Sequence, residues 1–170
     1  MGELTTTYTT GYINNNSVGQ AYWLGFDSSS NLWIGDMGNG RLGTGTPNGS
    51  GSYTIGHKTA SASSGVSNPD LGEIDGSGTV WMPDMIVPPT NNPPSTAASV
   101  LSAYSQTTGG FLATANNGFS TGGIGGAVAA AVDLSGNVWV ANEDGSVSEL
   151  IGLGTPTASP LTPSNAGTKP

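Results

Sequence analysis

Three aspartates recur along this chain, each followed six residues later by a tryptophan: Asp27 and Trp33, Asp75 and Trp81, Asp133 and Trp139. One carboxylate per repeat, held in register, has the layout of a ring of metal ligands. The same carboxylate, just ahead of a turn, can instead accept bonds from the turn's own amide hydrogens. That simpler use predicts a structural role for all six residues, with no metal and no cofactor. Asp36, Asp84 and Asn142 close the three motifs, where loops at one end of a repeat array converge, and are candidate ligand-binding residues. Glu73 stands two residues before its aspartate, at the place taken by Gly25 and Ala131 in the other copies. A charge among small residues either lines a channel or is paired. Asp70, three residues earlier, would share that channel, so Glu73 and Asp70 are candidate ligand residues too. His57, in "TIGHKT", is the one histidine, and nothing beside it in sequence makes it a base or a metal ligand. "GNGRLG" (Gly38–Gly43) spells a dinucleotide fingerprint, but that motif must open a helix, and the "TGTPNGSGS" that follows cannot be one. No Ser-His-Asp set or nucleophile elbow is present, so no catalytic residue is assigned.

Each aspartate ends an inner strand: "AYWLGFD" (Ala21–Asp27), "DLGEID" (Asp70–Asp75) and "AVAAAVD" (Ala127–Asp133). The turns "SSSN", "GSGT" and "LSGN" follow, with Gly and Asn suited to the positive φ of a hairpin. The tryptophan strands come next, "NLWIGD", "TVWMPD" and "NVWVAN", alternating a large aromatic with aliphatic neighbours. Variable returns complete each unit, and the spacing between successive aspartates is 48 and then 58 residues. "STAASVLSAY" (Ser95–Tyr104) is compatible with a helix, although its second half reads equally well as a strand. A period near 50 with four short strands is the signature of a β-propeller blade, a unit too small to bury its own faces. The expected layout is an N-terminal strand completing a neighbouring blade (1–20), blade 1 (21–69), blade 2 (70–126) with a Pro-rich insertion (85–98), blade 3 (127–154) and a low-complexity tail (155–170). Three such blades make half a propeller, with Trp33, Trp81 and Trp139 in equivalent buried sites.

Bulk composition narrows the partners. Three basic residues face eleven acids for a net charge of −8, and a chain so acidic repels nucleic acid and anionic membrane surfaces. Only 8% of residues are charged, while four Trp, five Tyr and many aliphatics supply a packed interior. The absence of cysteine excludes a disulfide frame, a thiol nucleophile and a thiolate metal site. Abundant Thr, Ser, Gly and Asn suit an extracellular or cell-surface protein. "MGELTTTYTT" has neither the basic start nor the apolar core of a signal peptide.

"AAVDLSGNVWVANEDGSVSELIGLG" resembles the NHL-type β-propeller repeats of bacterial proteins, the group that includes the streptogramin lyases. "YSQTTGGFLATANNGFSTGG" resembles the connection between such blades. The likeness covers about three repeats and concerns the blade, not its chemistry. It implies an all-β fold of propeller-like blades. For the lyases it also implies a divalent metal held by a histidine and acids at the channel mouth. No histidine falls on an inner strand here, so that site is not carried over.

The sequence therefore predicts a non-enzymatic binding or self-assembly module. Half a ring with uncovered end faces predicts a homo-oligomer, either a closed dimer or a filament built by strand addition. Two other functions follow from the same residues: a channel-mouth enzyme of the lyase or lactonase type, and a carbohydrate-binding module using exposed Trp, Tyr and Asn on a glycan.

Overall fold

The computed structural model of the chain describes residues 18–49, 53–58, 66, 68–84, 100–112 and 118–156. These form three antiparallel sheets, an all-β, repeat-like and blade-like fold. The first sheet runs in chain order through β1 (Ala21–Phe26), β2 (Leu32–Asp36), β3 (Arg41–Pro47) and β4 (Tyr53–Lys58). The second follows with β5 (Glu73–Ile74), β6 (Thr79–Asp84), β7 (Val100–Ser105) and β8 (Gly110–Phe111), and the third with β9 (Ala127–Val132), β10 (Val138–Asn142) and β11 (Val147–Leu150). The helix-compatible stretch thus resolves to strand over Val100–Ser105. The N-terminal segment 1–17, the insertion 85–98 and the tail from 157 onward lie outside the described residues.

The fixed aspartate-to-tryptophan spacing sets a common register. Trp33 lies between Gly25 and Thr44, Trp81 between Glu73 and Ala103, Trp139 between Ala131 and Glu149. Strand side chains alternate, so in every sheet the tryptophan faces one way and its aliphatic neighbours the other. The sheets then stack. Trp33 and Leu42 of the first pack on Val80, Met82 and Tyr104 of the second, with the Trp33 and Tyr104 rings 5.6 Å apart. Trp81, Leu101 and Ala103 on the far side of the second sheet pack on Ala127, Val138 and Val140 of the third. Phe119, bonded to Leu101 beyond the end of β8, brings its ring within 5.7 Å of Trp81. At the inner edge Leu71 forms a parallel bridge to the third sheet. Its N–H donates to Val128 and its carbonyl accepts from Ala130, both at 3.0 Å.

The third sheet departs from expectation in having three strands, not four, among the described residues. Past Leu150 the chain turns and leaves β11. Gly154 N–H donates to the Gly136 carbonyl at 2.9 Å, and Thr155 N–H donates to Asp75 Oδ2 at 3.0 Å. The first residues of what reads as a tail therefore clasp the turns of two repeats together.

Those turns place one residue at positive φ three positions after each aspartate. Gly78 (φ 80°) and Gly136 (φ 82°) adopt it without strain, but the first repeat puts Ser30 there at φ 63°. A left-handed residue with a Cβ costs about 1–2 kcal/mol, offset in part by the greater chain entropy that glycine loses. Ser30→Gly is therefore expected to stabilise the protein by about 0.5–1 kcal/mol. A urea melt showing no gain would mean that Ser30 is held there by something other than the turn.

Candidate functional site

The three repeated aspartates are clamps. Asp27 Oδ1 accepts the N–H groups of Ser29 and Asn31, both at 2.9 Å, and Oδ2 accepts the Asn31 amide and the Trp33 indole N–H at 3.0 Å. Asp75 accepts from Ser77 N–H and hydroxyl, Thr79 N–H, the Trp81 indole at 3.0 Å and Thr155 N–H. Asp133 repeats the pattern with Ser135, Asn137 and the Trp139 indole, again at 3.0 Å. One carboxylate thus closes the turn and fixes the following tryptophan, which explains the constant offset of six. For Asp27 and Asp75, burial raises the carboxyl, but the bonds just named outweigh it and hold both below the ordinary range. Asp133 is lowered to about 2, chiefly by the Trp139 bond.

Asp36, Asp84 and Asn142 form a second repeated device. Each ends its tryptophan strand and reaches the chain 16 or 17 residues back, where it approaches the inner strand. Buried Asp36 accepts from Gly19 N–H, Gln20 N–H, Asn39 Nδ2 and Arg41 Nε. Asp84 accepts from Asn68 N–H. Asn142 accepts from Gly125 N–H and donates to the Ser146 and Ser148 hydroxyls at 3.0 Å. As placed, the three pin the start of each repeat to its middle.

Glu73 and Asp70 are held differently. Glu73 shares the Trp81 side of its sheet, the side turned to the third sheet, at the register position of Gly25 and Ala131. Gly25 is small for a local reason: a Cβ there would lie 2.6 Å from the Trp23 ring. Burial pushes the Glu73 carboxyl up. Burial also raises Asp70, against a bond from Leu71 N–H and with help from the Glu143 charge. Asp70 and Glu143 therefore feel one another, but no three His, Asp or Glu side chains among the described residues are placed to hold a metal ion. A raised carboxyl pKa stabilises the fold below its unfolded value, and that contribution is lost as pH rises through the folded value. Stability should accordingly rise as pH falls from 7 towards the ordinary 4.5 of glutamate, then fall below 3.8 as Asp27, Asp36 and Asp75 protonate. Glu73→Gln should be more stable than wild type at pH 7 and equal to it near pH 4. Melting curves with an unchanged upper limb in the variant would contradict this.

Exposure separates the tryptophans. Trp33 and Trp81 are 3% and 1% exposed, but Trp139 is 38% exposed, which corrects the expectation of three equivalent buried sites. The bond to aspartate is the same in all three; what Trp139 lacks among the described residues is a sheet stacked on its face. Val147, Ala131, Ala141 and Glu149 are exposed on that face with it. At the opposite end, among the described residues, β1 presents exposed Tyr22, Leu24 and Phe26, while Leu32 and Ile34 beside them are buried. Among the described residues the two end faces are thus unequal. His57 is exposed on β4 opposite Gly43.

Between the first and second sheets lies a cavity of about 230 Å³, lined by Trp33, Thr44, Lys58, Tyr104 and Gln106 among others. No motif pointed to it, because its residues come from separate strands of two repeats. The signal available was charge: Lys58 is one of three basic residues in an acidic chain.

No family model matches the chain, and no curated protein matches it. Among solved structures it is similar to the crystal structure of a functionally unknown protein from Desulfotomaculum acetoxidans DSM 771. The identity is 14% and the TM-score 0.45, over 78% of this chain and 42% of that one. The chain thus spans less than half the length of that protein.

Proposed function

We propose that this chain is a non-enzymatic binding and self-assembly module of NHL-like repeats, acting outside the cell or at its surface. It works by covering the open face of its third sheet with protein surface, a second copy of the chain foremost. The observation that carries the reading is Trp139. Two sister tryptophans in the same register and with the same aspartate bond are buried by the next sheet; the third is clamped in place and left in water. A rigid, pre-positioned indole flanked by Val147 and alanines is the kind of anchor on which protein contacts concentrate their energy. The repeated aspartates support a structural role over a channel-mouth metal, because their oxygens are engaged by four or five donors each.

Light scattering over a concentration series tests this. Wild type is expected to exceed the 16.9 kDa of one chain as concentration rises. Trp139→Arg should remain at the single-chain mass and stay folded, with stability lowered by only about 1 kcal/mol. A wild type monomeric throughout, or a variant that assembles equally well, would sink the reading.

A further inference from the structure

We infer that the cavity between the first and second sheets is a binding site for a small polyhydroxylated carboxylate of monosaccharide size, such as a uronic acid. The site is separate from the Trp139 face and does not depend on it. Two observations converge. The side-chain nitrogen of Gln106 is buried and has no acceptor, an arrangement that native proteins seldom leave standing. Its amide rests against Gly78, where a Cβ would come within 3.2 Å of that nitrogen, so the repeat's own turn leaves the space it occupies. Lys58 supplies the second. Among the described residues the ion pair formed is Arg41 with Asp36, and Lys58 has no carboxylate partner despite a net charge of −8. Its ammonium lies 5.8 Å from the centre of the Tyr104 ring, a position that keeps the charge at the cavity wall.

The remaining lining fits the same ligand. Trp33, whose indole N–H is spent on Asp27, and Tyr104 are both buried and back the cavity wall without presenting an open ring face. Thr44 and Thr46 add hydroxyls that can donate or accept. A cation and an unspent amide N–H call for a carboxylate; the threonine hydroxyls call for a polyol. The volume of about 230 Å³ lies below the range of drug-sized pockets and holds one sugar unit, not a chain of them.

Titration of glucuronate into the full chain, followed by NMR, tests the proposal. Saturable binding is expected, with glucose at least about tenfold weaker because it cannot use Lys58. Lys58→Met, an exposed position, should lower glucuronate affinity about tenfold and leave the fold intact. Gln106→Met should weaken binding while leaving the empty protein as stable as wild type or more so, since it removes a buried donor with no partner. The methyl glycoside of glucuronate separates two sources of the same chemistry. Retained binding assigns the site to the end unit of an acidic polysaccharide, and lost binding to the free sugar acid. The inference is overturned by glucose binding as well as glucuronate, or by no saturation at about 100 mM, far above the millimolar constant expected of so small a ligand. It is overturned equally by a Gln106→Met protein that is less stable when empty, which would mean the amide already has a partner.

Discussion

Trp81→Ala is expected to destabilise the protein by about 3–5 kcal/mol, a large share of what a domain this size has to lose. Trp139→Ala, at the same register and with the same bond to its aspartate, is expected to lose only about 1 kcal/mol. The difference isolates packing from local structure. Trp81 is 1% exposed, stands against Phe119 and lies within the cluster that joins the second sheet to the third. Its removal opens a cavity that neighbours on two sheets must collapse into, and close-packed strands yield little. Among the described residues Trp139 has no such cluster over it and is 38% exposed, so its removal opens a smaller cavity. Urea melts below the concentration at which chains associate give both numbers. Equal costs would mean that the aspartate bond, not stacking, carries the contribution of the tryptophans.

Much of this was legible in the sequence because the governing periods are short. The six-residue offset between aspartate and tryptophan is a local geometry: one turn, one bond, one strand position. Reading it three times predicted the common register, and Gly25, Glu73 and Ala131 do stand opposite Trp33, Trp81 and Trp139. Burial is not local. Whether a tryptophan is covered depends on the sheet that follows, and the sequence around Trp139 is as apolar as that around Trp81. The same limit hid the cavity, whose Lys58 and Gln106 are set by how two sheets stack.

Residues picked out for closing the tryptophan strands act over a distance that spacing alone does not reveal. Asp36 and Asn142 each close a loop of 16 or 17 residues, satisfying amide hydrogens at the start of a repeat whose strands form later in the chain. Each repeat is therefore locked at both ends by an acid or amide, one local and one longer in reach. In sheets this small, where apolar area per repeat is limited, such bonds stand in for core.

Asp75 is the acid on which most depends, and Asp75→Ala is expected to cost about 2–6 kcal/mol, from two buried donors at about 1–3 kcal/mol each. Those donors are the Trp81 indole N–H and the Thr79 amide, both within the packed region. Ser77 N–H lies at the turn and can turn to water, whereas Thr155 N–H loses its acceptor and stays near the turn through the bond its carbonyl accepts from Gly76 N–H at 2.9 Å. The Thr155 bond to Asp75 is one of two that join the end of the third sheet to the second, across 80 residues of chain. Asp133→Ala removes the matching clamp where its tryptophan is exposed, so water replaces the lost acceptor and the effect is much smaller. Acid should imitate the substitution. Asp75 is held below its ordinary 3.8, so its contribution is present above that value and is lost as pH falls through the lower folded one. The gap between wild type and Asp75→Ala is therefore expected to be full at neutral pH and to close in strong acid. Hydrogen exchange at the Trp81 indole provides a local check, with faster exchange in Asp75→Ala at temperatures where the far-UV spectrum is still native. A variant no less stable than Asp133→Ala would show that the carboxylate closes a turn and does nothing for the joint between sheets.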